Sequence, residues 1–136
     1  MLLQLRAEWS HHGGTWGLLG GARAGGETPE EAAQREALEE AGLSPASYRI
    51  VGRYVDDHGG WSYTTVVARA DGFVQPTALT AETTEVRWVP ADHIRLLPLH
   101  PGFAATWDVL RTYHVGSAEW DGLSRSRGST ARASGP

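Results

Sequence analysis

The nine residues from Arg35 to Leu43 read REALEEAGL. Glu36, Glu39 and Glu40 crowd together there, Glu30 and Glu31 precede them, and the only basic residue among them is Arg35. On a helix, residues three and four apart share a face, so Glu36 and Glu40 stack one turn apart, about 6 Å in rise, with Glu39 beside them. Like charges at that spacing cost a helix roughly 0.2–0.5 kcal/mol per pair. Three carboxylates facing one spot are relieved by a hard divalent cation, which prefers an all-oxygen environment. Mg²⁺ in particular keeps waters and takes one or two carboxylates together with substrate phosphates. The competing reading is a solvated acidic face, because glutamate is a good helix former.

The elements that must position these groups are well marked. Thr28 is an N-cap with Glu31 three residues on, a capping box, and Pro29 fits the first helical position. Gly42 supplies the stop, so a helix is predicted from Thr28 to Ala41. Just upstream, Gly20, Gly21, Gly25 and Gly26 form a glycine-rich turn of the kind that lets backbone approach a ligand closely. That turn leads into the helix N-terminus, where free N–H groups favour anions. A phosphate cradle and a carboxylate cluster on one loop–helix unit point to a metal-phosphate substrate.

Gly21, five residues, Glu27, seven residues, then Arg35-Glu36-Ala37-Leu38-Glu39-Glu40-Ala41-Gly42-Leu43 resembles the signature of the Nudix hydrolases, Gx5Ex7REUxEExGU, where U is a bulky aliphatic. The resemblance implies an α+β Nudix fold, an α/β/α sandwich around a mixed β-sheet. It also implies metal-dependent hydrolysis of a pyrophosphate bond in a nucleoside diphosphate linked to another moiety. Carried over by position, Glu36 and Glu40 are the principal ligands of Mg²⁺ or Mn²⁺, and Glu39 is a third ligand or the group that orients the attacking water. Glu27 is a further metal-sphere or supporting residue, and the carbonyl of Gly20 or Gly21 completes the coordination. Arg35 joins Glu39 and Glu40 as a catalytic candidate because its fork can hold a glutamate by charge-assisted hydrogen bonds; read otherwise, it is an ordinary helix ion pair, worth little. Three positions depart from the family pattern: Ala37 is smaller than the usual aliphatic, Leu19 stands where many members have proline, and Ala24 replaces a frequent glutamate.

Outside the signature, Glu82 in TAETTEV is the candidate fourth acidic ligand, set against a plain solvated carboxylate. In DDHGGW, His58 and Trp61 can meet a base or sugar, although Asp, His and Gly are also what a hairpin turn requires. Gly20 and Arg23 complete the candidate substrate contacts. His11 and His12 lie in a loop near the glycine turn and read as phosphate contacts or as solvated side chains, while Trp16, Trp88 and Trp107 read as core. The chain lacks an SQPWPxS-like stretch and the downstream proline that would mark NADH, coenzyme A or ADP-ribose specificity. A MutT-like nucleoside triphosphate pyrophosphohydrolase is the default left by resemblance and elimination, and clean-up of several nucleotides fits as well. The alternatives are a non-catalytic nucleotide sensor and an interaction module.

Composition bounds the rest. The 136 residues suit one domain with a real core. With 40% hydrophobic and 21% charged residues and no long apolar run, membrane association is not expected. A formal charge of −4 argues against nucleic acid as a partner and for a nucleotide-derived small molecule. There are no cysteines, hence no disulfide framework or thiolate chemistry, and Arg6 and Glu8 arrive before a secretory h-region could form; the expected compartment is the cytoplasm.

Leu2 to Glu8 alternates as a half-buried strand, Tyr48 to Val55, Ser62 to Ala70 and EVRWVP read as further strands, and Phe103, Trp107, Leu110 and His114 mark an amphipathic helix. The catalytic domain is expected over residues 1–116. Residues 117–136, which include SRSRGSTARASGP with its three arginines and no apolar periodicity, are expected to be a disordered tail. Fewer residues precede the signature than the family usually has, which suggests a missing strand, an upstream start, or an open sheet edge that pairs two copies into a homodimer.

Overall fold

The computed structural model describes residues 1–72, 74–115 and 123–129, with 113–115 and 123–129 described as backbone. In chain order the elements are β1 (Leu2–Arg6), β2 (Trp16–Gly17), β3 (Leu19–Ala22), helix α1 (Pro29–Ala41), β4 (Tyr48–Asp57), β5 (Ser62–Ala70), β6 (Thr83–Trp88), helix α2 (Pro101–Val115) and β7 (Leu123–Ser129). Short 3₁₀ turns occur at Pro45–Ser47 and Ala91–Leu96. The strands form a three-stranded sheet ordered β2-β1-β6 and a mixed four-stranded sheet ordered β3-β7-β5-β4, in which β3 and β7 are parallel and the other pairs antiparallel.

Helix α1 begins and ends where its caps require. Thr28 accepts from the Glu31 backbone N–H while the Glu31 carboxylate accepts from the Thr28 backbone N–H; losing such a cap typically costs about 0.5–2 kcal/mol. At the other end Gly42 takes φ 65°, a left-handed conformation in which its N–H reaches the Leu38 carbonyl and that of Leu43 reaches Ala37. The buried face of α1 is built from Ala32, Ala33, Ala37 and Ala41, small side chains that let the helix sit close to the strands. Ala37 and Ala41 pack there against Leu2, Leu19, Tyr48 and Ala68. The small residue at position 37 is therefore fully buried (1% exposed) and answered by the bulk of Tyr48.

The second core lies on the other side of the strands. Phe103, Trp107 and Leu110 of α2 meet Leu3, Trp16, Leu18, Val67, Val89 and Ile94, each large side chain contributing about 1.5–3 kcal/mol by leaving water. Trp16 and Trp107 are core residues, and Trp88 is half-buried with its indole N–H donated to the Val74 carbonyl at 2.7 Å. The result is helix, strands, helix.

Two expectations change. The alternation of Leu2 to Glu8 suggested a strand wet on one face, but Leu2, Leu3 and Gln4 are all buried, because helices cover β1 from both sides. Nor is β1 an open edge: β2 and β6 flank it, and the Met1 amino group donates to the Val89 carbonyl. Within the expected tail, 123–129 form β7, paired to β3 on one side and β5 on the other. Backbone hydrogen bonds to two neighbours require no apolar side-chain pattern, so composition gave no sign of this strand. The rest of the expected tail, 117–122 and 130–136, lies outside the described residues. Among the described residues no helix is long and apolar enough to cross a membrane.

Candidate active site

The glycine turn and the acidic helix meet through specific contacts. Gly20 donates its backbone N–H to Glu40 Oε2 at 3.0 Å. At Gly21 a Cβ would lie 2.5 Å from Glu36 Oε1, so only glycine admits this carboxylate against the strand. The middle of β3 thus rests on two carboxylates that stand one helical turn apart.

Arg35 organises the others. Its Nε and one terminal nitrogen grip both oxygens of Glu27, at 2.8 and 3.0 Å, and the same terminal nitrogen also donates to the Ala22 carbonyl. Its other terminal nitrogen reaches Glu36 Oε1 at 2.9 Å and Glu39 Oε2 at 3.3 Å. The Ala24 N–H donates to Glu27 as well, at 2.7 Å. The hydrogen bond from Arg35, followed by that from Ala24, holds the Glu27 carboxyl below its usual range, and the guanidinium is in turn made harder to deprotonate, first by Glu27. Both oxygens of Glu27 are thus engaged, and Glu27 braces Arg35.

Glu36 is buried, Glu40 half-buried and Glu39 exposed. Burial pushes the Glu40 carboxyl up to about 8; the Gly20 N–H opposes that rise, and the neighbouring charges of Glu36 and Glu39 add to it. Such a site favours a compact positive charge over two ionised carboxylates alone. Glu36, Glu40 and the exposed Glu39 supply the hard oxygen donors for it, beside the Gly20–Gly21 backbone. Among the described residues no three carboxylates or imidazoles are already gathered as a cage, since Arg35 draws Glu36 and Glu39 to itself and Gly20 holds Glu40.

A cavity of about 310 Å³ opens beside the glycine pair, within the range of small-molecule sites. Leu18 and Phe103 give it apolar walls; Gln4, Arg6, Tyr63 and His100 line its polar parts, with Gly20 and Gly21 at the carboxylate end. The sequence reading singled out neither Arg6 nor His100 for this role. Arg6 ends a strand and His100 precedes α2, more than ninety positions apart in the chain, and no local pattern joins them.

The other expected contacts sit at different distances from this centre. His58 and Trp61 occupy the β4–β5 turn, their rings stacked 4.2 Å apart, and His58 also pairs with Asp56. Both rings meet Tyr63 edge-on, and of the three it is Tyr63 that lines the cavity. Arg23 follows β3 and is half-buried, contributing only a weak field at Glu27. Glu82 is exposed ahead of β6, its backbone carbonyl accepting from Ala7, and it does not line the cavity. His12 adopts a positive φ of 54° and its ring lies 4.8 Å from that of His100, with His11 beyond it.

A glycine turn holding two stacked carboxylates, one of them also held by an arginine, thus stands beside a cavity of small-molecule size. The chain matches the NUDIX domain over residues 1–112 and belongs to the Nudix family. It is 52% identical over 118 residues to the protein named "Putative 8-oxo-dGTP diphosphatase 3" in two strains of Mycobacterium tuberculosis, covering 82% of this chain and 54% of that protein. It is 46% identical over 121 residues to a nucleoside triphosphate pyrophosphatase/Nudix hydrolase fusion protein of Bifidobacterium longum, covering 82% of this chain and 25% of the fusion. The chain therefore spans about half the length, or less, of these relatives. The crystal structure of a Nudix hydrolase from M. smegmatis, RenU, superposes with a TM-score of 0.77 at 47% identity, covering 84% of this chain and 74% of that one. The α+β fold implied by the signature is the fold observed.

Proposed function

We propose that the protein is a metal-dependent nucleoside triphosphate pyrophosphohydrolase acting on free nucleotides, oxidised guanine nucleotides among them. The observation that carries this reading is the seating of Glu36 and Glu40 on Gly21 and Gly20 at one end of the cavity. The substrate class is supported by the relative named as an 8-oxo-dGTP diphosphatase. Mg²⁺ or Mn²⁺ would be held by Glu36, Glu39 and Glu40 with the Gly20–Gly21 backbone. When bound, the ion neutralises phosphate oxygens and lowers the pKa of water.

The chain's own groups do the rest. Arg35 fixes Glu36 and Glu39 in place, and Glu27 fixes Arg35. Glu39, exposed, and Glu40, bonded to the Gly20 N–H, are the carboxylates that would take the proton of the attacking water. Water adds at phosphorus, the anhydride oxygen leaves with its electron pair, and nucleoside monophosphate and pyrophosphate result.

The test is release of pyrophosphate or phosphate from a panel of nucleoside triphosphates, 8-oxo-dGTP, sugar nucleotides and ADP-ribose, with Mg²⁺, Mn²⁺ or EDTA. Turnover that requires the metal and disappears in a folded Glu40→Gln protein is the expected result. Tight nucleotide binding with no turnover under any metal would overturn the reading in favour of a sensor.

A further inference from the structure

A relay of buried polar side chains ends two residues before the glycine pair. Gln4, in the middle of β1, is 5% exposed, and Thr83, the first residue of β6, is 7% exposed. The Thr80 hydroxyl donates to the Thr83 hydroxyl at 3.2 Å, Thr83 donates to Gln4 Oε1 at 2.8 Å, and Gln4 Nε2 donates to the Leu18 carbonyl at 3.0 Å. That carbonyl can only accept, so it selects the amide end of Gln4 and orients every donor of the relay the same way. An apolar side chain at position 4 would fill the core without burying an amide, a burial that only full hydrogen bonding offsets.

The relay depends on a bulge. The pairing of β1 with β6 slips between Leu5 and Arg6, so that Thr83, and not Thr84, stands opposite Arg6. Cross-strand partners share a face, as do residues two apart in one strand. The slip therefore turns Thr83 to the face of Gln4 and leaves Thr84 exposed.

Both ends of the relay bear on the site. Leu18 is the single residue between β2 and β3, where the backbone leaves the three-stranded sheet and enters the four-stranded one. Two residues further on, Gly20 donates to Glu40, and Gly21 lies against Glu36. At the other end, the segment that carries Thr80 holds the close of α1: the Thr77 N–H donates to the Ala41 carbonyl and the Leu79 N–H to the Glu40 carbonyl, each at 3.1 Å. Residues 77–83 thus tie the strand that bears the glycines to the helix that bears the glutamates.

We propose that Gln4, held by Thr83 and Thr80, is a positioning residue: it fixes the crossing at Leu18 and so sets Gly20 and Gly21 against Glu40 and Glu36. The inference rests on the hydrolytic reading of the site, but its first readout needs no turnover.

The test compares the wild type with Gln4→Met, Thr83→Val and Thr83→Ser. Valine keeps the shape of threonine without the hydroxyl, and serine restores the hydroxyl. Amide hydrogen exchange of Gly20 is followed by NMR on the full chain, in EDTA so that no metal competes for Glu40. It is expected to quicken at least about tenfold in Gln4→Met and Thr83→Val relative to the buried strand residue Val67, and to return to the wild-type rate in Thr83→Ser. Thr83 does not line the cavity. With Mg²⁺ and a nucleotide that the wild type hydrolyses, Thr83→Val should therefore lower kcat by about 10–100-fold, as loss of support for a metal ligand does, and leave KM unchanged. Unchanged Gly20 exchange in both Gln4→Met and Thr83→Val would overturn the proposal. So would quickening that Val67 shares equally, which marks a general loss of stability, or a rise in KM alone, which marks a substrate contact. If Thr83→Val does not fold, Gln4→Met decides by the same exchange comparison, and if neither folds, Thr80→Val decides. A wild type that hydrolyses no nucleotide would defeat the proposed function, while the Gly20 exchange would still decide whether Gln4 positions the glycines.

Discussion

Arg35 meets Glu27 as a two-pronged ion pair, at 2.8 and 3.0 Å, and from that anchorage its remaining nitrogen extends to Glu36 and Glu39. The pair links the loop before α1 to the middle of the helix. Lysine carries the charge but cannot reproduce the fork. Arg35→Lys is expected to lower kcat/KM by about 10–100-fold, the usual effect of releasing a group that orients a metal ligand. Its effect on stability should be within about 1 kcal/mol, because the guanidinium is a third exposed. Steady-state kinetics beside a urea titration checks both, and a variant with unaltered kinetics would remove Arg35 from the machinery.

Glu40 offers a pH test. Its folded-state pKa is raised from 4.5 to about 8, so between those values the folded protein holds a proton that the unfolded chain releases. The unfolded state then binds fewer protons, and metal-free stability falls as pH rises through that window. In EDTA, the wild-type melting temperature is expected to drop by about a few degrees from pH 5 to pH 8 relative to Glu40→Gln, which lacks the titration. Parallel curves for the two proteins would contradict the assignment. In the presence of metal, Glu40→Gln should lose turnover by more than the roughly 100-fold expected of an outer-shell residue.

Gly21 is a steric prediction. A methyl group there meets Glu36 Oε1 at 2.5 Å and its Cδ at 2.9 Å, and Glu36 is tied to Arg35. Gly21→Ala must displace the carboxylate, and a displacement of that order can reduce turnover by about 100-fold. Only the end of one side chain has to move, so the fold should persist. Near-normal kinetics in the alanine protein would show that Glu36 can ligate from another position.

Tyr48 carries the opposite expectation. Its hydroxyl is buried without a partner among the described residues, next to a void of about 10 Å³ bordered by Ala33, Ala37 and Val66. Burial alone raises its pKa. Tyr48→Phe removes an unsatisfied donor and should leave stability unchanged or increase it by about 1 kcal/mol. A denaturation midpoint clearly below wild type would reveal a partner for the hydroxyl.

By itself the sequence determined the loop–helix unit. Thr28, Glu31 and Gly42 fixed the ends of α1, and the spacing of Glu36, Glu39 and Glu40 fixed their common face, because capping and helical periodicity act within a few residues. Phe103, Trp107 and Leu110 located the core face of α2 for the same reason. Only the tertiary structure decided the remainder. β1 is covered on both faces because two helices bracket it, and β7 is held by backbone bonds that leave no mark on side-chain pattern. That Glu27 has both oxygens on Arg35 while Glu36 has one depends on where Arg35 reaches. The raised Glu40 pKa depends on burial of its carboxyl, against which the Gly20 N–H works. The meeting of Arg6 with His100 depends on strand and helix closing one cavity from opposite ends of the chain. Burial and long-range contact arise only once the chain has folded, and no short window of residues contains them.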